Sequence, residues 1–305
     1  MNDVLITIFT PTYNRVDKLQ DCHNSLLSQT SNNFCWQIID DGSTDETEEL
    51  VSKWINTSPF NIEYIKVTNG GKCRAINKSL ELTNTELWLC LDSDDYLVPD
   101  AVDVIESEFY DIRNSDDICG LFSLRGLDDK TPMQGKRIPE NIKFCTQGYI
   151  RYKLNISPEY AHVFKTEVAK SFVYPSIPNE NYFPLSYVYD QIDTTYCYKV
   201  IHSPFMICEY RNDGLTKNKR KVVAKNPLGY TKYKKQLVKL APTFKEKCKA
   251  VCTYITGCFL SKTNPFKECD FKLLTFIFLP VGALDYTLRY KLDFKLDMEI
   301  KTKDI

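Results

Sequence analysis

Four short apolar runs in the first hundred residues each stop at a cluster of small and charged polar residues, and a segment with helical spacing follows each cluster. Residues 4–10 form a β-branched run ending in Thr10-Pro11-Thr12, and residues 16–27 then carry apolar side chains at helical intervals. Residues 37–40, preceded by Trp36, predict a second strand that ends in Asp40-Asp41-Gly42-Ser43. The helix predicted over 45–55 sets Leu50, Val51, Trp54 and Ile55 on one face, with Thr44, Asp45 and Glu46 suited to its start. A third strand over 62–67 runs into Asn69-Gly70-Gly71 and a helix over 72–82. A fourth over 87–91 runs into Asp92-Ser93-Asp94-Asp95, and Pro99 opens a helix over 101–110. Strand and helix alternating four times require βαβ crossovers, so the predicted class is α/β, with a doubly wound, mostly parallel sheet flanked by helices. Ligands of such sheets bind outside the carboxyl ends of the strands. All four polar clusters fall there.

Beyond residue 115 the pattern loosens. Residues 118–124 predict a further strand and 128–143 a polar, hairpin-like excursion. A short strand over 161–164 precedes a helical turn around Val168. Residues 186–196 predict a helix, and 199–201 with 206–210 a strand pair. From 217 to 249 twelve basic residues stand against one acid, Glu246, and helices are predicted near 244–260 and 271–290. The expected organisation is therefore a ligand-binding half over 1–115, a second half over 116–215, and a basic, helical C-terminal extension over 216–305.

Composition narrows the function classes. With 39 Lys and Arg against 40 Asp and Glu the net charge is -1, which argues against a dedicated nucleic-acid binder. The twelve cysteines are scattered without a CxxC pair, and only three histidines accompany them, so reduced thiols are expected rather than disulfides or a zinc site. No basic stretch followed by an apolar run and a small-residue cleavage site is visible near the start, which predicts a cytoplasmic protein. The longest apolar run, 273–284, is interrupted by Pro280 and Gly282 and falls short of the about 20 residues that cross a bilayer.

The clusters have distinct chemistries. Carboxylates crowded at one strand end, as in Asp92-Ser93-Asp94-Asp95, repel one another unless positive charge sits among them. A hard divalent cation, Mn²⁺ or Mg²⁺, is the simplest partner, and such ions take one or two carboxylates together with phosphate oxygens. A solvated turn accounts for the same letters. A strand-end carboxylate in Asp40-Asp41-Gly42-Ser43 is placed to accept the imide N–H of a uracil ring, although helix capping explains those residues equally. Gly70 and Gly71 let a ligand approach the backbone closely, and Lys72 with Arg74 at a helix start suits phosphate. Neither a Walker A loop nor a GxGxxG turn is present. A haloacid-dehalogenase-type phosphatase would carry its Asp-x-Asp after the first strand rather than the fourth. A sugar-nucleotide-forming enzyme would show a Gly-rich, basic loop after the first strand, where this chain has none.

Taken together, Thr10-Pro11-Thr12-Tyr13-Asn14-Arg15, Ile38-Ile39-Asp40-Asp41-Gly42-Ser43-Thr44-Asp45, Asn69-Gly70-Gly71-Lys72 with Ala75 and Asn77, and Leu91-Asp92-Ser93-Asp94-Asp95 with Pro99-Asp100 resemble a family 2 glycosyltransferase of the GT-A fold. The strings at 179–193 and 208–216 are similar to members that build bacterial capsular and other surface polysaccharides. The resemblance implies an inverting, metal-dependent transferase that moves a sugar from a nucleotide-sugar donor, a UDP-sugar, to a glycan or lipid-linked acceptor. It implies that Pro11, Tyr13 and Arg15 line the nucleotide pocket and that Asp40, with Asp41 as the alternative, reads the base. Gly71, Lys72 and Arg74 would lie near ribose and diphosphate, with Asn77 bracing the helix. Asp92, Ser93 and Asp94 would hold the ribose and metal side, with Asp94 and Asp95 as metal ligands.

The catalytic base departs from the family pattern. Relatives place a Glu just after a Phe-x-Pro-like string, and here Tyr182-Phe183-Pro184 is followed by Leu185. Asp190 is the favoured substitute, with Glu180 and Asp193 nearby. Leu185 leaves open the alternative of a nucleotide-sugar-binding protein that has lost catalysis. Arg211, Asp213 and Thr216 would form a loop closing over the diphosphate, or an ordinary turn. The basic C-terminal stretch is explained by a solvated charged face or by peripheral contact with the anionic inner face of the cytoplasmic membrane. The neighbouring run at 273–284 would then lie in the interface plane, or else pack against the main domain.

Overall fold

A computed structural model describes residues 4–156, 159–208, 219–267 and 269–292. The expected closing loop of Arg211, Asp213 and Thr216 lies outside the described residues. The chain divides into two compact units, Met1–Tyr174 with Val188–Tyr210, and Pro175–Tyr187 with Arg211–Ile305.

In the first unit the alternation is β1 (Ile6–Thr12), α1 (Val16–Leu27), β2 (Phe34–Asp40), α2 (Thr47–Ile55), β3 (Asn61–Lys66), α3 (Lys72–Leu82), β4 (Leu87–Cys90), β5 (Asp95–Leu97) and α4 (Ala101–Tyr110). It continues with β6 (Ile118–Leu124), β7 (Phe144–Cys145), α5 (Gln147–Tyr152), β8 (Tyr160–Lys165), α6 (Thr166–Lys170), α7 (Ser186–Ile192, in this unit from Val188 onward), β9 (Cys197–Val200) and β10 (Met206–Cys208). Eight strands form one sheet in the order β3-β2-β1-β4-β8-β6-β9-β7, and β10 pairs with β5 in a second, small sheet. In the large sheet β8 runs antiparallel to β4 and β6, and β7 antiparallel to β9, while the remaining neighbours are parallel; β10 and β5 are antiparallel. The expected strand pair is a correction: β9 joins the large sheet beside β6, whereas β10 leaves it to cover Asp95–Leu97. A short strand chooses its partner through distant contacts that local pattern does not contain.

β1, β2 and β6 are buried almost end to end because both faces of the sheet are covered. On one face Leu87, Leu89, Leu121 and Val163 join Leu19, Cys22 and Leu26 of α1, Val51 and Trp54 of α2, and Ile105 and Phe109 of α4 in one core. Alternate residues point the other way, where Trp88 stacks on Phe9 at 5.5 Å and donates its indole N–H to the Ser79 hydroxyl of α3 at 2.8 Å. Further along that face His162 of β8 lies among Phe164, Tyr189, Tyr198, Tyr160 and Phe122.

Burial, helped by the nearby charge of Arg125, pushes the His162 imidazole down to about 3, and its Nε2 has no hydrogen-bond partner. In the unfolded chain the same group titrates near its ordinary 6.5. Between those values the unfolded state binds the extra proton, so stability falls as pH falls through this window, by up to about 1.4 kcal/mol per pH unit. Replacing His162 by Phe is expected to flatten that slope in urea titrations between pH 6 and 4. An unchanged slope would place the acid sensitivity elsewhere.

The second unit is helical, with α8 (Lys219–Lys225), α9 (Pro227–Leu240), α10 (Phe244–Leu260), α11 (Lys272–Tyr286) and a π-helical turn over Thr287–Leu292. Its own core gathers Val238, Val251, Tyr254, Ile255 and Cys258 with Leu274, Phe278 and Leu279. Thr243 caps α10 by accepting the Glu246 amide at 3.2 Å, and the Glu246 carboxylate accepts from Lys249 at 2.7 Å. All twelve cysteines are free thiols, as composition predicts.

Candidate active site

The carboxyl ends of β1 to β4 lie along one edge of the sheet, and side chains knit their loops together. After β1 the chain turns through Asn14 at a φ of 50°. The Asn14 amide donates to the Ser43 hydroxyl at 2.9 Å, and its side-chain oxygen accepts the Thr44 amide at 2.8 Å. Tyr13 is 48% exposed at this rim, with Pro11 and Arg15 half-buried beside it.

The two carboxylates after β2 are both engaged. Asp40 is fully buried; one oxygen accepts the Ser43 amide at 2.7 Å and the other accepts the Tyr64 hydroxyl of β3. Burial and that hydrogen bond push the Tyr64 hydroxyl well above its ordinary range. Asp41 accepts the Gly70 and Gly71 amides at 2.7 and 2.8 Å, while Asn69 donates to the Asp41 carbonyl at 2.9 Å. Burial raises the Asp41 carboxyl despite those two amides. Gly71 has a φ of 86°, a left-handed conformation that only glycine adopts without strain, and it delivers the chain into α3. Arg74 lies back over Gly70. Asn77 is bonded through both ends of its amide to the backbone of Tyr174, at 2.8 and 3.0 Å.

The acidic cluster at the β4 end has two side-chain cations among it. Lys72 pairs with Asp92, and Arg125 lies 3.8 Å from Asp92 and 3.1 Å from Asp95. Burial opposes ionisation of Asp92, but the Lys72 ammonium and the Arg125 guanidinium hold its carboxyl below the ordinary value. Asp95 is more deeply buried, and there burial outweighs Arg125, aided by the charge of Asp92, so its carboxyl is pushed up to about 6. Asp95 Oδ2 lies near the guanidinium yet off its hydrogen-bonding line, and has no hydrogen-bond partner. Ser93 is buried and Asp94 half-buried.

Arg125 is absent from the sequence-level candidates. It directly follows β6, which runs in the same sense as β4 with β8 reversed between them, so both strand ends reach the same edge. Its Nε donates to the Tyr160 carbonyl at 3.2 Å, fixing the fork toward the carboxylates. The available signal was a lone cation just beyond a buried apolar run. Because removing one partner leaves buried carboxylates uncompensated, Arg125→Met is expected to cost about 3 kcal/mol of stability. A urea midpoint indistinguishable from the parent would mean that Asp92 and Asp95 do not depend on it.

The three acids near Leu185 separate by what they touch. Glu180 accepts the Leu228 and Gly229 amides, both at 2.8 Å, at the start of α9. Asp193 accepts the Gly148 amide at 2.7 Å and the Gln147 amide at 3.3 Å at the start of α5, and burial pushes it up to about 6. Asp190 on α7 faces Arg151 at 3.4 Å, with its side chain 12% exposed. The preceding residue, Tyr189, is half-buried and lies within the electrostatic reach of Cys90, Lys72, Arg125 and Asp92, which sets this turn of α7 beside the β4 end.

A family model described as Glycosyl transferase family 2 matches residues 7–170, more than half of the chain, and that span holds all four strand-end clusters and Arg125. The chain belongs to glycosyl transferase family 2. A chondroitin synthase of Pasteurella multocida (strain Pm70) is 37% identical over 105 residues, 34% of this chain and 11% of that protein. The poly(ribitol-phosphate) beta-N-acetylglucosaminyltransferase TarS of Staphylococcus aureus (strain Mu50 / ATCC 700699) is 26% identical over 201 residues, 63% of this chain and 32% of that protein. The matched stretch is thus a third or less of each of these two relatives. Among solved structures, S. aureus TarS 1-349 in complex with UDP-GlcNAc aligns with a TM-score of 0.55 at 17% identity, over 83% of this chain and 81% of that one. A mannosyltransferase of Pyrobaculum calidifontis in complex with GDP-Man and Mn²⁺ aligns with a TM-score of 0.56 at 14% identity, over 92% and 86%. At these identities the likeness establishes a shared GT-A-like fold.

Proposed function

We propose that this chain transfers a sugar from a UDP-sugar to a glycan or lipid-linked acceptor of a bacterial surface polysaccharide, with inversion at the anomeric carbon. The observation that carries this reading is the β4 end, where Asp92, Asp94 and Asp95 share one sheet edge with Lys72, Arg125 and the Asn69–Gly71 turn. Relatives named as a chondroitin synthase and a poly(ribitol-phosphate) beta-N-acetylglucosaminyltransferase, and a similar fold crystallised with UDP-GlcNAc, support the donor and acceptor classes.

In this reading Pro11, Tyr13 and Arg15 form the wall of the nucleotide pocket. Base recognition is assigned to Asp40, with Asp41 as the alternative. Both Asp40 oxygens are taken, so an imide N–H reaches it only by displacing the Tyr64 hydroxyl or the Ser43 amide. Gly71 allows close backbone approach, Lys72 and Arg74 sit by the ribose and diphosphate, and Asp92 with Ser93 faces the ribose. Among the described residues no group of three His, Cys, Asp or Glu side chains is arranged to enclose a metal ion. Mn²⁺ and Mg²⁺ nonetheless fit, because such ions complete their shell with donor phosphates. Asp94 and Asp95 are the ligands assigned; Asp95 Oδ2 accepts no hydrogen bond, although it lies 3.1 Å from the Arg125 guanidinium. When bound, the cation would offset charge developing on the departing diphosphate.

Asp190 is assigned as the base. Its carboxylate takes the acceptor hydroxyl proton, the acceptor oxygen bonds to the anomeric carbon from the side opposite UDP, and the bond to the UDP oxygen breaks. Glu180 and Asp193 are held by backbone amides at helix starts, whereas the Asp190 carboxylate faces the Arg151 side chain at 3.4 Å. The test is turnover of α-linked UDP-sugars with NMR of the product. A β-linked product supports the reading, and an α-linked product contradicts it. Leu185 favours a second reading, a nucleotide-sugar-binding protein without catalysis, which predicts UDP binding but no transfer with any donor.

A further inference from the structure

The second unit carries an apolar stripe that its own core leaves open. On α11 Leu273, Phe276, Ile277, Val281 and Leu284 are 73, 69, 55, 51 and 59% exposed, and Leu288 continues the row at 52%. At the 100° advance of a helix these residues fall within an arc of roughly 140°. No charged residue lies between 273 and 284. The opposite face of α11 is firmly seated: Thr275 and Gly282 are buried, and a Cβ on Gly282 would come within 2.5 Å of Ile255 of α10. Phe271 packs edge-on against Tyr254 at 5.3 Å. The outward direction of the stripe is therefore set by packing rather than by a loosely held helix.

Charge says what covers it. Lys272 precedes the stripe, and Arg289 and Lys291 follow its end, all exposed. Over residues 219–292 sixteen Lys and Arg stand against four Asp and Glu, a net +12 in a chain whose total is -1. A second copy docking through this face would bring two such excesses together. An anionic lipid surface attracts them while its acyl boundary takes the apolar side chains. Fifteen residues of α11 span about 22 Å, less than the roughly 30 Å of a bilayer core, and no described helix is long and apolar enough to cross a membrane.

We propose that the Leu273–Phe276–Ile277–Val281–Leu284–Leu288 face lies in the plane of an anionic phospholipid interface and holds the protein at that surface. This inference is independent of the donor chemistry. It is tested by floating the full chain with vesicles of phosphatidylcholine alone or mixed with phosphatidylglycerol. The chain is expected to float with the mixed vesicles and not with phosphatidylcholine, and added salt is expected to weaken the association. Phe276→Asp with Leu284→Asp is expected to lower binding about tenfold or more with an unchanged melting temperature, since both side chains are exposed. As an independent signature, emission from Phe276→Trp is expected to shift to the blue on the mixed vesicles. No flotation, equal flotation of the double variant, or no shift of that emission would overturn the proposal. So would a concentration-dependent dimer, dissolved by the double variant, in a protein that ignores both vesicles.

Discussion

Asp94→Ala is expected to lower turnover about a thousandfold while leaving the fold intact. The proposed cation has Asp94 and Asp95 as its protein ligands, and a bound metal supplies several kcal/mol of charge stabilisation at the leaving group. Asp95 cannot serve alone, because it is buried beside Arg125 and its carboxyl is pushed up to about 6. Asp94 is only half-buried, so its loss opens no core cavity, and thermal unfolding should move by no more than a surface substitution does. The measurement is initial rate at saturating donor and Mn²⁺, beside a melting curve of the same sample. A variant that keeps most of its rate would remove Asp94 from the metal site, and one that melts early would make it a structural residue instead.

Asp190→Asn is expected to lower kcat by about 10²- to 10⁴-fold with little change in UDP affinity. Asn is the same size and can still accept from Arg151, which lies 3.4 Å from the carboxylate, so α7 keeps its place. It cannot take the acceptor proton. Separate measurement of kcat and of UDP binding distinguishes the outcomes. Loss of both together would indicate that Asp190 organises the pocket rather than the proton transfer. Retention of both would move the base to another group.

Much of the donor half was legible in the sequence because local and global signals agree there. The spacing over 16–27, 72–82 and 101–110 predicts α1, α3 and α4 to the residue. The strand-end clusters are readable because Gly, Asn and Asp have distinct backbone uses at turns. The legible part ends where contacts become distant. β5 is hidden inside the acidic cluster, since Asp95 is both a carboxylate of that cluster and the first residue of a strand paired with Cys208. Arg125 reaches Asp92 and Asp95 across a reversed strand, and nothing at position 125 itself reports that neighbourhood. Crowded carboxylates implied a positive partner, and Lys72 with Arg125 supplies one from within the chain, a solution that residue spacing does not reveal. The Glu180 and Asp193 carboxylates turn out to cap helices whose starts, at 227 and 147, had no strong apolar period to mark them.

The central claim, a UDP site at the β4 end, is tested most directly by calorimetric titration of UDP, GDP and dTDP into the full chain, with Mn²⁺ or with EDTA, beside Asp94→Ala. The account predicts binding of UDP that is tight with Mn²⁺, weak with EDTA and weak in the variant under both conditions. A folded protein that binds none of the three nucleotides, or binds UDP equally well with EDTA and without Asp94, would contradict it.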